Sequence, residues 1–207
     1  MKEEMSPSIF DFKEMFREGI HLCYIFNDDK ERVKTVAKFL ASSLLTGHKI
    51  LNIVDTVSPQ DLRKELESLG IDMASKGRGI VTVDNEAAYC PNGVFDPDAL
   101  LDGAVSFCRQ ASSEGYAGSR IYGDMSWVLR KNVNLADLMA YESKVNEYVK
   151  IPPCAAICEY DARKFNGATI MDILSVHPAM IVSGHVVKNP YFKPPGEFLE
   201  QFKARQR

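Results

Sequence analysis

Ile20-His21-Leu22-Cys23-Tyr24-Ile25-Phe26-Asn27-Asp28-Asp29 is a mainly apolar run of strand length that passes straight into turn and helix-capping residues. Beyond it, Val33, Val36, Ala37, Leu40, Leu44 and Leu45 recur three and four apart, as on one face of a helix that stops at Gly47. Lys49 to Val54 reads as a second strand. Strand, helix and strand in this order predict a βαβ unit with a right-handed crossover between parallel strands.

The same alternation continues outward. Ser58-Pro59 and Asp96-Pro97 each set a capping oxygen before a proline suited to a first helical turn. The helices they open carry Leu62, Leu66 and Leu69 up to Gly70, and Leu100, Leu101, Ala104, Val105, Phe107 and Cys108 before Gly115. Further strands are expected at Gly79 to Val83, Arg120 to Asp124, Cys154 to Tyr160 and Met180 to Val182. Helices are expected over about Asn134 to Val149, blocked by Pro152-Pro153, and Thr169 to Val176. Residues 188–207 read as an extended C-terminal tail whose aromatics pack back on a core of about 19–187. The whole predicts an α/β fold: one three-layer αβα domain over 1–207 with a mostly parallel central sheet. Ligands of such sheets bind beyond the strands' carboxyl ends. That rule selects the turn after Phe26, Asp124 to Trp127, and Tyr160 to Phe165.

With 207 residues, 45% of them apolar and 26% charged, the chain suits one globular domain. Its net charge is −3 and no basic cluster appears before the scattered Lys203, Arg205 and Arg207, so no direct nucleic-acid contact is expected. No apolar run approaches the roughly 20 residues of a membrane span, and Met1-Lys2-Glu3-Glu4 does not open a secretory signal. Cys23, Cys90, Cys108, Cys154 and Cys158 are odd in number and dispersed, which fits buried thiols in a reducing, cytoplasmic compartment.

A nucleoside triphosphatase of this layout needs a glycine-rich loop and a lysine after its first strand, because backbone N–H groups must approach the phosphates. Here that junction is Asn27-Asp28-Asp29-Lys30-Glu31-Arg32, which has no glycine, and Asp28 or Asp29 caps the helix. Asp124 ends a strand where a magnesium-coordinating carboxylate would sit, with Ser126 and Trp127 just beyond; the three either line a pocket or cap a turn and fill the core. His21 and Cys23 share one strand face, as do Cys154 and Cys158. On neighbouring strands this set could converge on a soft metal, although strand cysteines are ordinarily inert core residues and no metal is expected. Glu142 is expected either to be buried with a raised pKa or to pair at the surface with Lys144 or Lys150. His48 is expected to meet the carbonyls at a helix end, and His177, before Pro178, to serve a local turn; neither they nor His185 belong to a catalytic signature.

Several fragments taken in order resemble a known family. They are His21-Leu22-Cys23-Tyr24-Ile25-Phe26, Leu44-Leu45-Thr46-Gly47, Phe95-Asp96-Pro97, Gly123-Asp124-Met125-Ser126-Trp127, Tyr141-Glu142, Cys158-Glu159-Tyr160-Asp161, His177-Pro178, and Asn189-Pro190-Tyr191-Phe192 before Pro194-Pro195. Over roughly Gly19 to Leu199 the chain resembles the MEDS domain, the methanogen/methylotroph, dichloromethane-regulator sensory domain. The resemblance implies a degenerate RecA/KaiC-like fold lacking a P-loop. It also implies a sensory input module of archaeal and bacterial transcription regulators and signalling kinases, for small hydrocarbon derivatives such as methylated or halogenated one-carbon compounds. No helix-turn-helix or kinase segment accompanies the module here, so signalling is expected through a regulator or kinase partner or through homo-oligomer formation.

The expected function is therefore non-catalytic sensing and signal transduction, with no catalytic residues and no cofactor. The candidate small-molecule site is His21, Cys23, Asn27, Asp124, Ser126, Trp127, Glu142, Cys158 and Tyr160, with His21, Cys23, Cys154 and Cys158 as the alternative metal set. A RecA-like enzyme with weak nucleotide binding or hydrolysis is the second reading. A ligand-free interaction adaptor using the C-terminal aromatics is the third.

Overall fold

The computed structural model describes residues 19–130, 133–150 and 154–205. The proline pair Pro152-Pro153, the amino-terminal segment and Arg207 lie outside them. Strand β1 (Ile20–Phe26) leads into α1 (Asp29–Leu45) and β2 (His48–Val54). Asp28 caps α1 by accepting a hydrogen bond from the Glu31 backbone N–H at 2.8 Å. Ser58 and Asp96 do the same for α2 (Pro59–Ser68) and, after the short α3 (Met73–Lys76), β3 (Ile80–Asp84) and α4 (Asn85–Tyr89), for α5 (Pro97–Ser113). Next come β4 (Gly118–Asp124), a 3-10 turn (Met125–Leu129), α6 (Leu135–Tyr148), β5 (Cys154–Asp161), α7 (Gly167–Val176), β6 (Ala179–Val182), β7 (His185–Lys188) and α8 (Pro195–Arg205).

The strands form one sheet in the order β3-β2-β4-β5-β1-β6-β7. Neighbours are parallel except the β6–β7 hairpin. Period-two alternation divides every strand between two buried faces. Leu22, Tyr24, Ile50, Tyr122 and Ile157 pack beneath α1 and α2, while Cys23, Ile53, Ala156, Cys158 and Tyr160 pack beneath α5, α6 and α7. The expected three-layer, mostly parallel architecture is thus present, and the β1–α1 junction Asn27-Asp28 carries no glycine-rich loop.

Two elements differ from expectation at the carboxyl-terminal end. The hairpin strand β7 escaped the sequence reading; its two-residue turn, Ser183-Gly184, has φ of 47° and 76°, the left-handed pair that suits the sheet's twist. Residues 195–205 are not an extended tail. Pro195 opens a helix, and Phe198 and Phe202, one turn apart, bury themselves in the core while Tyr191 stays 54% exposed.

His48 sits partly buried at the start of β2, its Nδ1 2.9 Å from the Thr46 hydroxyl. Burial, then the charge of Arg120, lowers it to about 4. A histidine lowered on folding contributes stability above its unfolded value of about 6.5, and loses it as pH falls through 4. Allowing for its partial exposure, wild type should lose about 1 kcal/mol more than His48→Gln between those pH values. Parallel denaturant titrations of the two proteins measure it.

Candidate functional site

Because β4, β5 and β1 are adjacent, the three loops selected from sequence do meet at the sheet's carboxyl edge. They do not leave an open phosphate site there. Arg32, 4% exposed in the first turns of α1, lays its guanidinium 4.5 Å over the Phe26 ring. Its Nη2 donates to Asp124 Oδ2 at 2.6 Å and to Glu159, and its Nη1 donates to the Thr56 hydroxyl at 2.6 Å. Asp124 Oδ2 also accepts from the backbone N–H and hydroxyl of Thr56, both at 2.9 Å, and Oδ1 accepts from the Ser126 N–H at 2.9 Å. Burial would raise Asp124, but the charge of Arg32 and these backbone donors hold it below its ordinary value. Glu159 is pushed up to about 7, first by burial, with Arg32 opposing the rise. Two further arginines close the same edge. Arg163 spans Asp29 and Asp161, and Arg130 grips Asp55 in bidentate fashion at 2.6 and 2.7 Å.

The opposite face of the same strands carries a second polar cluster. His21 of β1, Glu142 of α6, Cys158 of β5 and His177, just past α7, are all buried. His21 Nε2 lies 3.2 Å from Glu142 Oε2 and 3.4 Å from Cys158 Sγ, and His177 Nε2 lies 3.4 Å from Glu142 Oε2. The Tyr160 hydroxyl donates to Glu142 Oε1 at 2.7 Å, which turns Oε2 toward the imidazoles. His177 Nδ1 donates to the Ile173 carbonyl at 2.7 Å. Burial and then neighbouring His177 lower His21 to about 4. Burial would raise Glu142 as well, but the two imidazoles outweigh it and hold the carboxyl well below the usual carboxylate range.

Beside this cluster lies a cleft of about 410 Å³ between α5, α6 and the sheet. Leu51, Ile53, Leu100, Phe107 and Val145 line it, and Cys158 forms part of its wall. Small residues are part of its lining: Gly103 and Ala104 on α5, Gly123 and Ala156 on the sheet. Tyr89 also lines the cleft and stacks on Trp127 with ring centroids 4.6 Å apart.

The sequence of the chain matches the model of the MEDS family (MEthanogen/methylotroph, DcmR Sensory domain) over residues 20–178. The chain belongs to the MEDS family. No curated protein matches it. Among solved structures, this MEDS domain is similar to flagellar accessory protein FlaH from Methanocaldococcus jannaschii, with a TM-score of 0.55 and 14% identity over 80% of this chain and 71% of that one. At that identity the likeness is one of fold. Membership in a sensory-domain family gives the chain a sensory, signalling character.

The MEDS domain divides the residues expected at one crevice between two faces. His21, Glu142, Cys158 and Tyr160 converge, whereas Asp124 and Ser126 belong to the arginine-bound edge, Trp127 is buried against Tyr89, and Asn27 is exposed. Neither expectation for Glu142 survives. It is buried with its pKa lowered rather than raised, because two imidazoles face it, and Lys144 pairs with Asp98 instead. The metal set His21, Cys23, Cys154 and Cys158 does not assemble, although β1 and β5 are neighbours. Four residues along a strand span about 13 Å, so Cys154 cannot reach the place Cys158 occupies; its thiol is instead pushed up by neighbouring Cys108 and by burial. Cys23 turns its thiol toward the Ala179 carbonyl, 3.9 Å away. His177 is the member that the sequence reading left in a turn. Among the described residues no helix is long and apolar enough to cross a membrane.

Proposed function

We propose that this MEDS domain is a non-catalytic sensor that binds a small, largely apolar hydrocarbon derivative in the cleft between α5, α6 and the sheet. It passes the change to a regulator or kinase partner, or to a second copy of itself. The observation that carries this reading is the cleft, enclosed by apolar side chains and bordered by a buried thiol. A volume of about 410 Å³ favours a compound of several carbons, since a one-carbon molecule would leave most of it unfilled. The arginine-bound carboxylates at the opposite edge support a non-catalytic role, because Asp124 already has partners on both oxygens. Signalling requires that the ligand bind one conformation more tightly than the other.

Trp127, the only tryptophan, stacks on a cleft residue and so supplies the readout. Titration with short alkanes, alkyl halides, alcohols, methylated amines and thiols should shift its emission saturably. Ala104→Phe, which fills the cleft from α5, should abolish the response while leaving the circular dichroism unchanged. A flat response across the panel, or one unaffected by Ala104→Phe, rejects the cleft as the site. Phosphate release from ATP and magnesium that is lost in Asp124→Asn would favour the nucleotide enzyme instead.

A further inference from the structure

We propose that His21, Glu142, Cys158 and His177 form a binding site for one divalent transition-metal ion of the zinc class. The inference stands apart from the ligand reading: it needs only these four side chains. Two imidazoles, a thiolate and a carboxylate are a donor set that zinc accepts, and their ligand atoms all lie within 4.8 Å of one another. Zinc bonds of 2.0 to 2.3 Å at tetrahedral angles separate donors by about 3.3 to 3.8 Å. Three of the six donor separations already match: His21 Nε2 lies 3.2 Å from Glu142 Oε2 and 3.4 Å from Cys158 Sγ, and His177 Nε2 lies 3.4 Å from Glu142 Oε2; the other three, none above 4.8 Å, would close on the ion.

The side chains do not satisfy one another without a cation. The Ile173 carbonyl can only accept, so His177 Nδ1 donates there, and Nε2 is the ring atom that faces Glu142 Oε2, 3.4 Å away. Neither His177 Nε2 nor Glu142 Oε2 has a hydrogen-bond partner among the described residues. Buried polar atoms are rarely left so, and a shared metal ion would give both of them a partner. The surrounding hydrogen bonds have the form of a metal's outer shell: a backbone carbonyl orients His177, and the Tyr160 hydroxyl orients Glu142. The four donors come from β1, α6, β5 and the end of α7, so the packed fold itself sets their spacing. The site lies close to the surface, since His21, though buried, borders a surface cleft beside Gly19, Lys150 and Pro178.

The test uses the purified full chain, stripped with a chelator and titrated with Co²⁺. One equivalent should bind with thiolate-to-cobalt charge-transfer absorption and the visible bands of a four-coordinate ion, and Zn²⁺ should displace it. Cys158→Ala should lose the charge-transfer band and Cys108→Ala should keep it. Tyr160→Phe, which removes only the hydrogen bond to Glu142, should weaken binding about 10- to 100-fold. If stripping unfolds the protein, refolding by one equivalent of Zn²⁺ supports the site equally. A stripped wild type that stays folded by circular dichroism, gains no cobalt bands and melts at the same temperature with and without Zn²⁺ overturns it, leaving a proton-shared histidine–glutamate network. Bands that persist in Cys158→Ala overturn it too. A stripped protein that responds to hydrocarbons but gains no cobalt bands would remove this site while leaving the sensory reading in place.

Discussion

Replacing Arg32 by methionine is expected to cost roughly 3–5 kcal/mol of stability, read as a lower urea midpoint at unchanged slope. The guanidinium is the shared partner of Asp124 and Glu159, both fully buried, and also holds Thr56. Without it two carboxyl groups remain in a poorly solvated interior with only hydroxyl and backbone donors. Lysine should not rescue the loss, since a single ammonium lacks the planar fork that reaches three partners at once. Adding Asp124→Asn and Glu159→Gln to the methionine variant should recover much of the stability, because the uncompensated charges are then gone. A cost below about 1 kcal/mol for Arg32→Met would mean that this knot is solvated and screened like a surface pair.

Gly123→Val should be the most disruptive single change in the cleft. A Cβ at this position would fall 2.3 Å from the Tyr89 hydroxyl oxygen. Tyr89 cannot simply move aside, for it is buried, stacked on Trp127 and edge-on to Tyr141 at 6.4 Å. Gly123 itself is fixed on a central strand, paired with Ile53 on one side and Cys158 on the other. Overpacking of this kind costs about 1–3 kcal/mol, and the bulk of valine on a fixed strand places it at the upper end. The stacked pair must separate, so the Trp127 emission should shift even without ligand and the hydrocarbon response should disappear. Wild-type stability together with wild-type emission would show that Tyr89 has room the packing does not reveal.

Local chemistry made most of the fold legible. The β1–α1–β2 unit announced itself through Phe26-Asn27-Asp28 and the spacing from Val33 to Leu45, and the caps at Asp28, Ser58 and Asp96 all hold their helices. Short elements carried less than one full period: α4 has five residues, and only Asp84, which caps it, marked its start. The prolines at 190, 194 and 195 suggested an extended tail, although proline at a first helical turn followed by Phe198 and Phe202 four apart is also a helix signature. The buried histidine cluster was half visible. Face parity set His21 with Cys23 and Cys158 with Cys154, but only the adjacency of β1 and β5 brings His21 to Cys158, and an acidic residue among the apolar positions of α6 was already suspect. His177 was hidden because its role depends on where α7 ends in space, and parallel pairing between strands more than 130 residues apart leaves no periodic trace in the chain.

One property of β5 ties the two buried clusters together. Cys158 leaves the strand on the side of the cleft, and Glu159, the very next residue, leaves on the other side into the grip of Arg32. A single peptide plane therefore separates a thiol within reach of a guest molecule from a carboxylate anchored to α1. On the proposed reading, a guest that displaced that plane on one side would be felt on the other, with the strand as a rocker whose far arm bears on the helix above it.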